Sequence, residues 1–165
     1  MSTLTTGTYE QYGASYKTLT LTDDEYAFTV TPEKGGSAPI MDVIDYGEPV
    51  TTKGLNMLYG PGNDLVSATA LTAAGAHMVL FSTGRGTPFG APAPTLKIAT
   101  NSQLAARKKT WIDFNAGVVA DGERTLDEAG ADLYQLVLDV ASGKQTCAEK
   151  KGFREISIFK DGVVL

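Results

Sequence analysis

The chain has 165 residues, with 14 Lys plus Arg against 19 Asp plus Glu, so its formal charge is −5 and its pI near 4.8. A chain of this length that is 42% hydrophobic can bury a core, which excludes disorder along its whole length. The acidic balance lacks the electrostatic footprint of a nucleic-acid binder, and Arg107-Lys108-Lys109 is too short a basic cluster to supply one.

The single Cys147 excludes an internal disulfide and a Cys-based zinc cluster, and reads as a packing or surface residue near a loop. No run reaches the ~20 apolar residues of a membrane span. The opening MSTLTTGTYEQYG has neither the basic nor the apolar region of a secretory signal, so a cytoplasmic setting without membrane partners is expected.

In chain order, residues 1–38 are rich in Thr, Tyr, Gly and Ser, with alternating stretches at Tyr16–Leu21 and Tyr26–Val30 that read as short strands. Pro32–Pro39 reads as a loop, and the whole opening segment as an extended arm or the end of a preceding segment. Residues 39–165 form the second part. Met41–Asp45 and Leu55–Tyr59 are strand candidates. Asn63 or Asp64 caps a helix through Ala74, with Gly75 stopping it. His77–Phe81 and Thr95–Ala99 read as buried strands, and Asn101 or Ser102 opens a helix through Trp111. Ile112–Val119 contains a further strand candidate. Thr125-Leu-Asp-Glu128 is a capping box opening a helix to Ser142, whose apolar stripe is Leu126, Ala129, Leu133, Leu136, Val137 and Val140. Asp127, Glu128, Asp132 and Asp139 lie off that stripe on a solvated face. Glu155–Phe159 reads as a last strand. Strands alternating with helices predict an α/β layer with a largely parallel sheet.

Chemistry concentrates in two stretches. In Phe81–Pro94, FSTGRGTPFGAPAP, Arg85 stands between Gly84 and Gly86, whose freedom allows a tight turn that presents the guanidinium. Arg grips carboxylates and phosphates in bidentate fashion, and Thr83 and Thr87 add hydroxyls. A rigid structural turn with a solvated Arg is the plainer reading. The spacing is GxGxxxG, prolines follow it, and no GxxxxGK[ST] run exists, so no nucleotide cofactor is expected.

In Trp111–Gly117, WIDFNAG, Asp113 and Asn115 would share one side of a strand, where a carboxylate and an amide oxygen suit a hard divalent cation; an ordinary turn uses the same pair. Lys97 lies within an apolar strand, where it either snorkels to the surface or, buried, has its pKa lowered towards use as a base. Asn63-Asp64 resembles a plain helix cap, and Asp121-Gly122-Glu123 a turn. His77, the single His, excludes a His-pair metal site and reads as a satisfied core residue.

Four ordered motifs then carry a resemblance: GNDLVSAT (Gly62–Thr69), FSTGRGTPFG (Phe81–Gly90), PTLKIATN (Pro94–Asn101) and WIDFNAG, with LDVASGK (Leu138–Lys144) beyond them. From Lys53 to Lys144 the chain resembles the C-terminal part of the altronate and galactarate dehydratases. That resemblance implies a Rossmann-like variant without a nucleotide, forming part of a larger catalytic domain. It implies a hydro-lyase that dehydrates a sugar acid, D-altronate to 2-dehydro-3-deoxy-D-gluconate on the closer branch, with galactarate or sulfolactate as alternative substrates. It implies Fe2+ or Mn2+ as Lewis acid. On the matching motifs, Arg85 is expected to clamp the substrate carboxylate within a substrate-binding loop of Thr83, Gly84, Arg85, Gly86 and Thr87. Asp113 and Asn115 are expected as metal ligands, and Asp64 and Lys97 as further catalytic groups. Members of that family are considerably longer, so this chain is expected to need its N-terminal domains or a companion subunit and to be inactive alone. A non-catalytic domain that binds an acidic metabolite is the rival reading, and self-association through an exposed sheet edge is a further expectation.

Overall fold

The computed structural model describes residues 3–11, 14–22, 27–30, 38–60 and 62–158. It divides the chain into two units, Met1–Asp42 with Thr52–Asn56, and Val43–Thr51 with Met57–Leu165.

In the first unit, β1 (Thr3–Gln11), β2 (Ala14–Thr22) and β3 (Ala27–Val30) form an antiparallel sheet in that order. In its registers Tyr9 is the backbone partner of Tyr16, and Leu21 that of Phe28. β2 contains the stretch Tyr16–Leu21 expected as a strand, and β3 covers Ala27–Val30 of the other, whose Tyr26 lies outside the described residues. Most of the Pro32–Pro39 loop lies outside the described residues. The same unit holds Thr52, whose hydroxyl donates to Asp42 (3.0 Å). β4 (Ile40–Ile44) and β5 (Leu55–Leu58) are each divided between the two units.

The second unit is α/β and Rossmann-like. β6 (Val79–Thr83), β7 (Thr95–Ala99) and β8 (Phe114–Asn115) form a parallel sheet with β7 central. A central parallel strand is covered on both faces, which accounts for the burial of Thr95, Leu96, Lys97 and Ala99. α1 (Asp64–Ala73) precedes the sheet, and α2 (Ser102–Arg107) makes the crossover from β7 to β8. Asn63 caps α1 by accepting from the N–H groups of Leu65 and Val66 (both 3.2 Å). One core cluster joins Ala68, Val79, Phe89 and Ala91, with Phe81 set edge-on to Phe89 at 5.0 Å; another joins Ala99, Leu104 and Ile112.

After β8 come the short α3 (Gly117–Ala120), α4 (Leu126–Ala141) and α5 (Cys147–Lys150). The Thr125–Glu128 capping box forms as read. The stripe of α4 is only partly covered, however: Ala129 and Val140 are buried, whereas Leu126 is 75% exposed. α4 packs against α3, a single turn and too short to shield a helix of 16 residues.

Three expectations change, while the strand expected within Ile112–Val119 forms as β8. His77 is exposed and precedes β6 rather than entering the core, because the strand starts two residues later at Val79. α2 ends at Arg107 instead of Trp111, because Lys108 leaves helical geometry (φ −122°, ψ 44°). Gly117–Ala120 is helical, so the β8 strand is only two residues long. Glu155–Ile158 is not a strand; Glu155 N–H donates to Gly90 O (2.7 Å) and Ser157 N–H to the Thr69 hydroxyl (3.1 Å), so side-chain and loop partners replace a ladder. No helix among the described residues is long and apolar enough to cross a membrane.

Candidate functional site

The loop after β6 carries the arginine, and its backbone is held to an unusual degree. Five successive carbonyl oxygens, from Thr83 to Thr87, accept hydrogen bonds from β7, its exit turn and the C-cap of α2. Thr83 O accepts from Thr100 N–H (3.0 Å) and the Thr100 hydroxyl (3.3 Å). Gly84 O accepts from Asn101 Nδ2 (3.1 Å). Arg85 O and Gly86 O both accept from Lys108 Nζ, at 2.9 and 3.1 Å. Thr87 O accepts from Lys97 Nζ.

The amide of Gly86 in turn donates to the Thr83 hydroxyl (2.9 Å), closing the turn from within. Gly86 has φ +81°, a region that side chains with a Cβ avoid, and a Cβ there would stand 2.9 Å from Lys108 Cδ. The loop conformation therefore depends on glycine at that position. Arg85 is exposed and makes no ion pair among the described residues.

Lys97 does not snorkel. Its residue is 1% exposed, its ammonium lies 4.9 Å from the centre of the Phe89 ring, and burial lowers its pKa from 10.5 to about 8, against the opposing fields of Asp113, Glu155 and Cys147. The gap beside it, walled by Pro88, Trp111, Cys147 and Phe153, has no room for a water molecule. Lys97 thus sits beneath the arginine loop and holds it, rather than facing an open cavity.

Asp113 is committed to the backbone. One carboxylate oxygen accepts from Lys97 N–H (2.8 Å) and the other from Cys147 N–H (2.7 Å). Cys147 lies partly buried at the start of α5, where burial and the neighbouring Asp113 push its thiol pKa up, so it is a packing residue and a poor nucleophile. Asn115 accepts from Gly117 N–H (3.0 Å) and donates to the Ser102 hydroxyl (2.9 Å). These bonds tie WIDFNAG to PTLKIATN, α2 and α5 but do not leave Asp113 and Asn115 as a converging ligand pair. Among the described residues no three His, Cys, Asp or Glu side chains gather to hold a metal. The donor set of this stretch does not fit the iron or manganese centre that the resemblance implied.

An open cleft of about 410 Å³ is lined by Asn63, Asp64, Leu65, Thr87, Pro88, Phe89 and Glu155. It brings Asp64, at the first turn of α1, together with Thr87. Glu155 joins them, fixed by accepting from Gly90 N–H (3.0 Å) while its own N–H donates back to Gly90 O. Sequence reasoning missed Glu155 because it placed that residue in a terminal strand. Gly90 was the available signal: a Cβ there would come within 2.6 Å of Phe153 O, so this glycine admits the segment that carries Glu155.

The model of the family described as D-galactarate/altronate dehydratase, C-terminal, matches residues 22–164. The chain belongs to this family. It is 53% identical over 133 residues to an altronate dehydratase of Escherichia coli and 48% identical over 133 to one of Bacillus subtilis, each match covering 81% of this chain and 27% of the relative. It is 39% identical over 134 residues to a galactarate dehydratase (L-threo-forming) of Escherichia coli, covering 79% of this chain and 26% of that protein. The chain therefore spans about a quarter of the length of these curated relatives. The four motifs all lie within the matched residues, and the structure shows what binds them: PTLKIATN supplies Lys97, Thr100 and Asn101 to the FSTGRGTPFG carbonyls, while WIDFNAG supplies Asp113 beneath them.

Proposed function

We propose that this chain is the C-terminal part of a sugar-acid dehydratase that acts on altronate or a close stereoisomer, removing water to leave a 2-keto-3-deoxy acid. The observation that supports the reading best is the cleft in which Asp64 of GNDLVSAT meets Thr87 of FSTGRGTPFG and Glu155. Dehydration of a sugar acid removes the proton α to the carboxylate and expels the β-hydroxyl as water; the resulting enol then tautomerises to the ketone. Two carboxylates in one cleft suit these two proton movements, one taking the α-proton and the other delivering a proton to the departing hydroxyl. The Thr87 hydroxyl offers a hydrogen bond to substrate hydroxyls. Arg85, on the same pinned loop, holds the substrate carboxylate, which an acidic chain otherwise repels. Lys97 and Asp113 act through the loop and not on the substrate.

The remaining three quarters of such an enzyme lie in further domains or a companion subunit, which turnover requires, whereas the cleft and Arg85 of this chain bind the sugar acid on their own. The test is turnover. The chain is joined to the preceding part of the Escherichia coli altronate dehydratase, and formation of the 2-keto-3-deoxy acid from D-altronate is followed. Activity that falls at least about a hundredfold in both Asp64→Asn and Glu155→Gln supports the assignment. A hybrid that dehydrates D-altronate equally well with both carboxylates removed overturns it.

A further inference from the structure

Apart from the bond between Gly86 N–H and the Thr83 hydroxyl, the arginine loop is held by residues outside it. We propose that Lys108 is a positioning residue for Arg85: its ammonium, seated on the Trp111 ring, fixes the backbone from which the guanidinium meets an anionic substrate. This inference rests on the sugar-acid reading above and adds a residue that acts on its binding step.

Three observations converge on it. Lys108 Nζ donates to Arg85 O (2.9 Å) and to Gly86 O (3.1 Å), so one side chain holds the carbonyls of the two successive peptide bonds on either side of the Gly86 Cα. The same nitrogen lies 4.5 Å from the centre of the Trp111 ring, a cation–π seat that restrains a long, flexible side chain. Gly86 leaves the space that Lys108 fills, since a Cβ there would come within 2.9 Å of its Cδ and 3.2 Å of its Nζ. Lys108 comes from the end of α2, which also donates from Asn101 to Gly84 O, so the loop is set from the crossover helix. With its carbonyls turned to these donors, the loop is left few backbone conformations, and the Arg85 side chain leaves a fixed point.

A bidentate contact is sensitive to direction, so a loop released from Lys108 loses affinity for a carboxylate without losing the arginine. The neighbouring Lys109 is exposed and forms none of these bonds, which makes it the control for charge alone. The experiment titrates D-altronate into the whole chain by NMR and follows the side-chain Nε–Hε resonance of Arg85, one of four arginines with Arg107, Arg124 and Arg154. The expected result is that Lys108→Met shifts this resonance before ligand is added and weakens binding about tenfold. Trp111→Leu, which unseats Lys108 without changing charge, acts in the same direction, and Lys109→Met leaves both readouts as in the parent chain. Parent-like binding in both Lys108→Met and Trp111→Leu overturns the proposal, as does an equal loss in Lys109→Met. A parent chain that does not bind D-altronate rejects the sugar-acid reading itself, and the positioning role falls with it.

Discussion

Asp113 accepts a hydrogen bond from the backbone N–H of Cys147 at 2.7 Å, across 34 residues of sequence. Its second oxygen accepts from Lys97 N–H, so a single carboxylate joins the central strand of the parallel sheet to the N-terminus of α5. This bond is what turns a sequence candidate for metal binding into a structural tie.

Asp113→Asn tests that tie. An asparagine carries one acceptor oxygen, so either Lys97 N–H or Cys147 N–H loses its partner in a half-buried place. The substitution is expected to cost about 1–3 kcal/mol of stability, measured by urea unfolding. Protection of the α5 amides from hydrogen exchange falls with it. Unchanged stability and exchange would show that Asp113 is not the tie.

Lys97 gives a pH dependence whose sign is fixed by its burial. The folded chain releases the Lys97 proton near pH 8, whereas the unfolded chain keeps it to about 10.5. Between those values the unfolded state binds more protons, so this group adds stability as the pH rises through the window. Cys147 opposes it, because its folded thiol keeps a proton that the unfolded thiol has lost. Both the parent and Lys97→Met carry Cys147, so most of its contribution cancels in the difference between their unfolding free energies. The parent is expected to gain on the variant from pH 8 to 10.5 and to hold a constant difference below pH 7. A difference that stays flat across the whole range would place Lys97 in water.

Gly86→Ala combines a positive φ with a clash against Lys108 and is expected to destabilise the chain by about 1–2 kcal/mol. Gly62→Ala, which meets nothing within 4 Å, stays near the parent in the same thermal melts. Equal melting of the two variants would mean that the arginine loop relaxes freely around residue 86.

Much of the second unit was legible because its signals are local. Asn63, Thr125 and the positive-φ residues Gly75 and Gly143 bound their helices where a reading of caps and stops places them. Thr95–Ala99 follows from a short apolar run. The Arg85 loop was recognisable from its glycines, since their spacing is itself a statement about backbone shape. What escaped depends on partners distant in sequence. Lys97 looks like a snorkelling lysine until the Thr87 carbonyl and the Phe89 ring are folded over it. Asp113 and Asn115 have ligand chemistry, but backbone amides satisfy them first. α5 was overlooked although Thr146-Cys-Ala-Glu149 repeats the capping-box pattern recognised at Thr125. Glu155 entered the site only because an irregular segment replaced the expected strand.

The central claim is that the cleft between α1 and the arginine loop receives a sugar acid, and its most direct measurement is amide chemical-shift mapping of the whole chain with D-altronate. The expected result is a set of saturable shifts concentrated at Asp64, Leu65, Arg85 to Thr87, Phe89 and Glu155, with Arg85→Ala weakening them about tenfold or more at unchanged melting temperature. Shifts that are absent, or that fall away from the cleft and survive Arg85→Ala, would contradict the assignment.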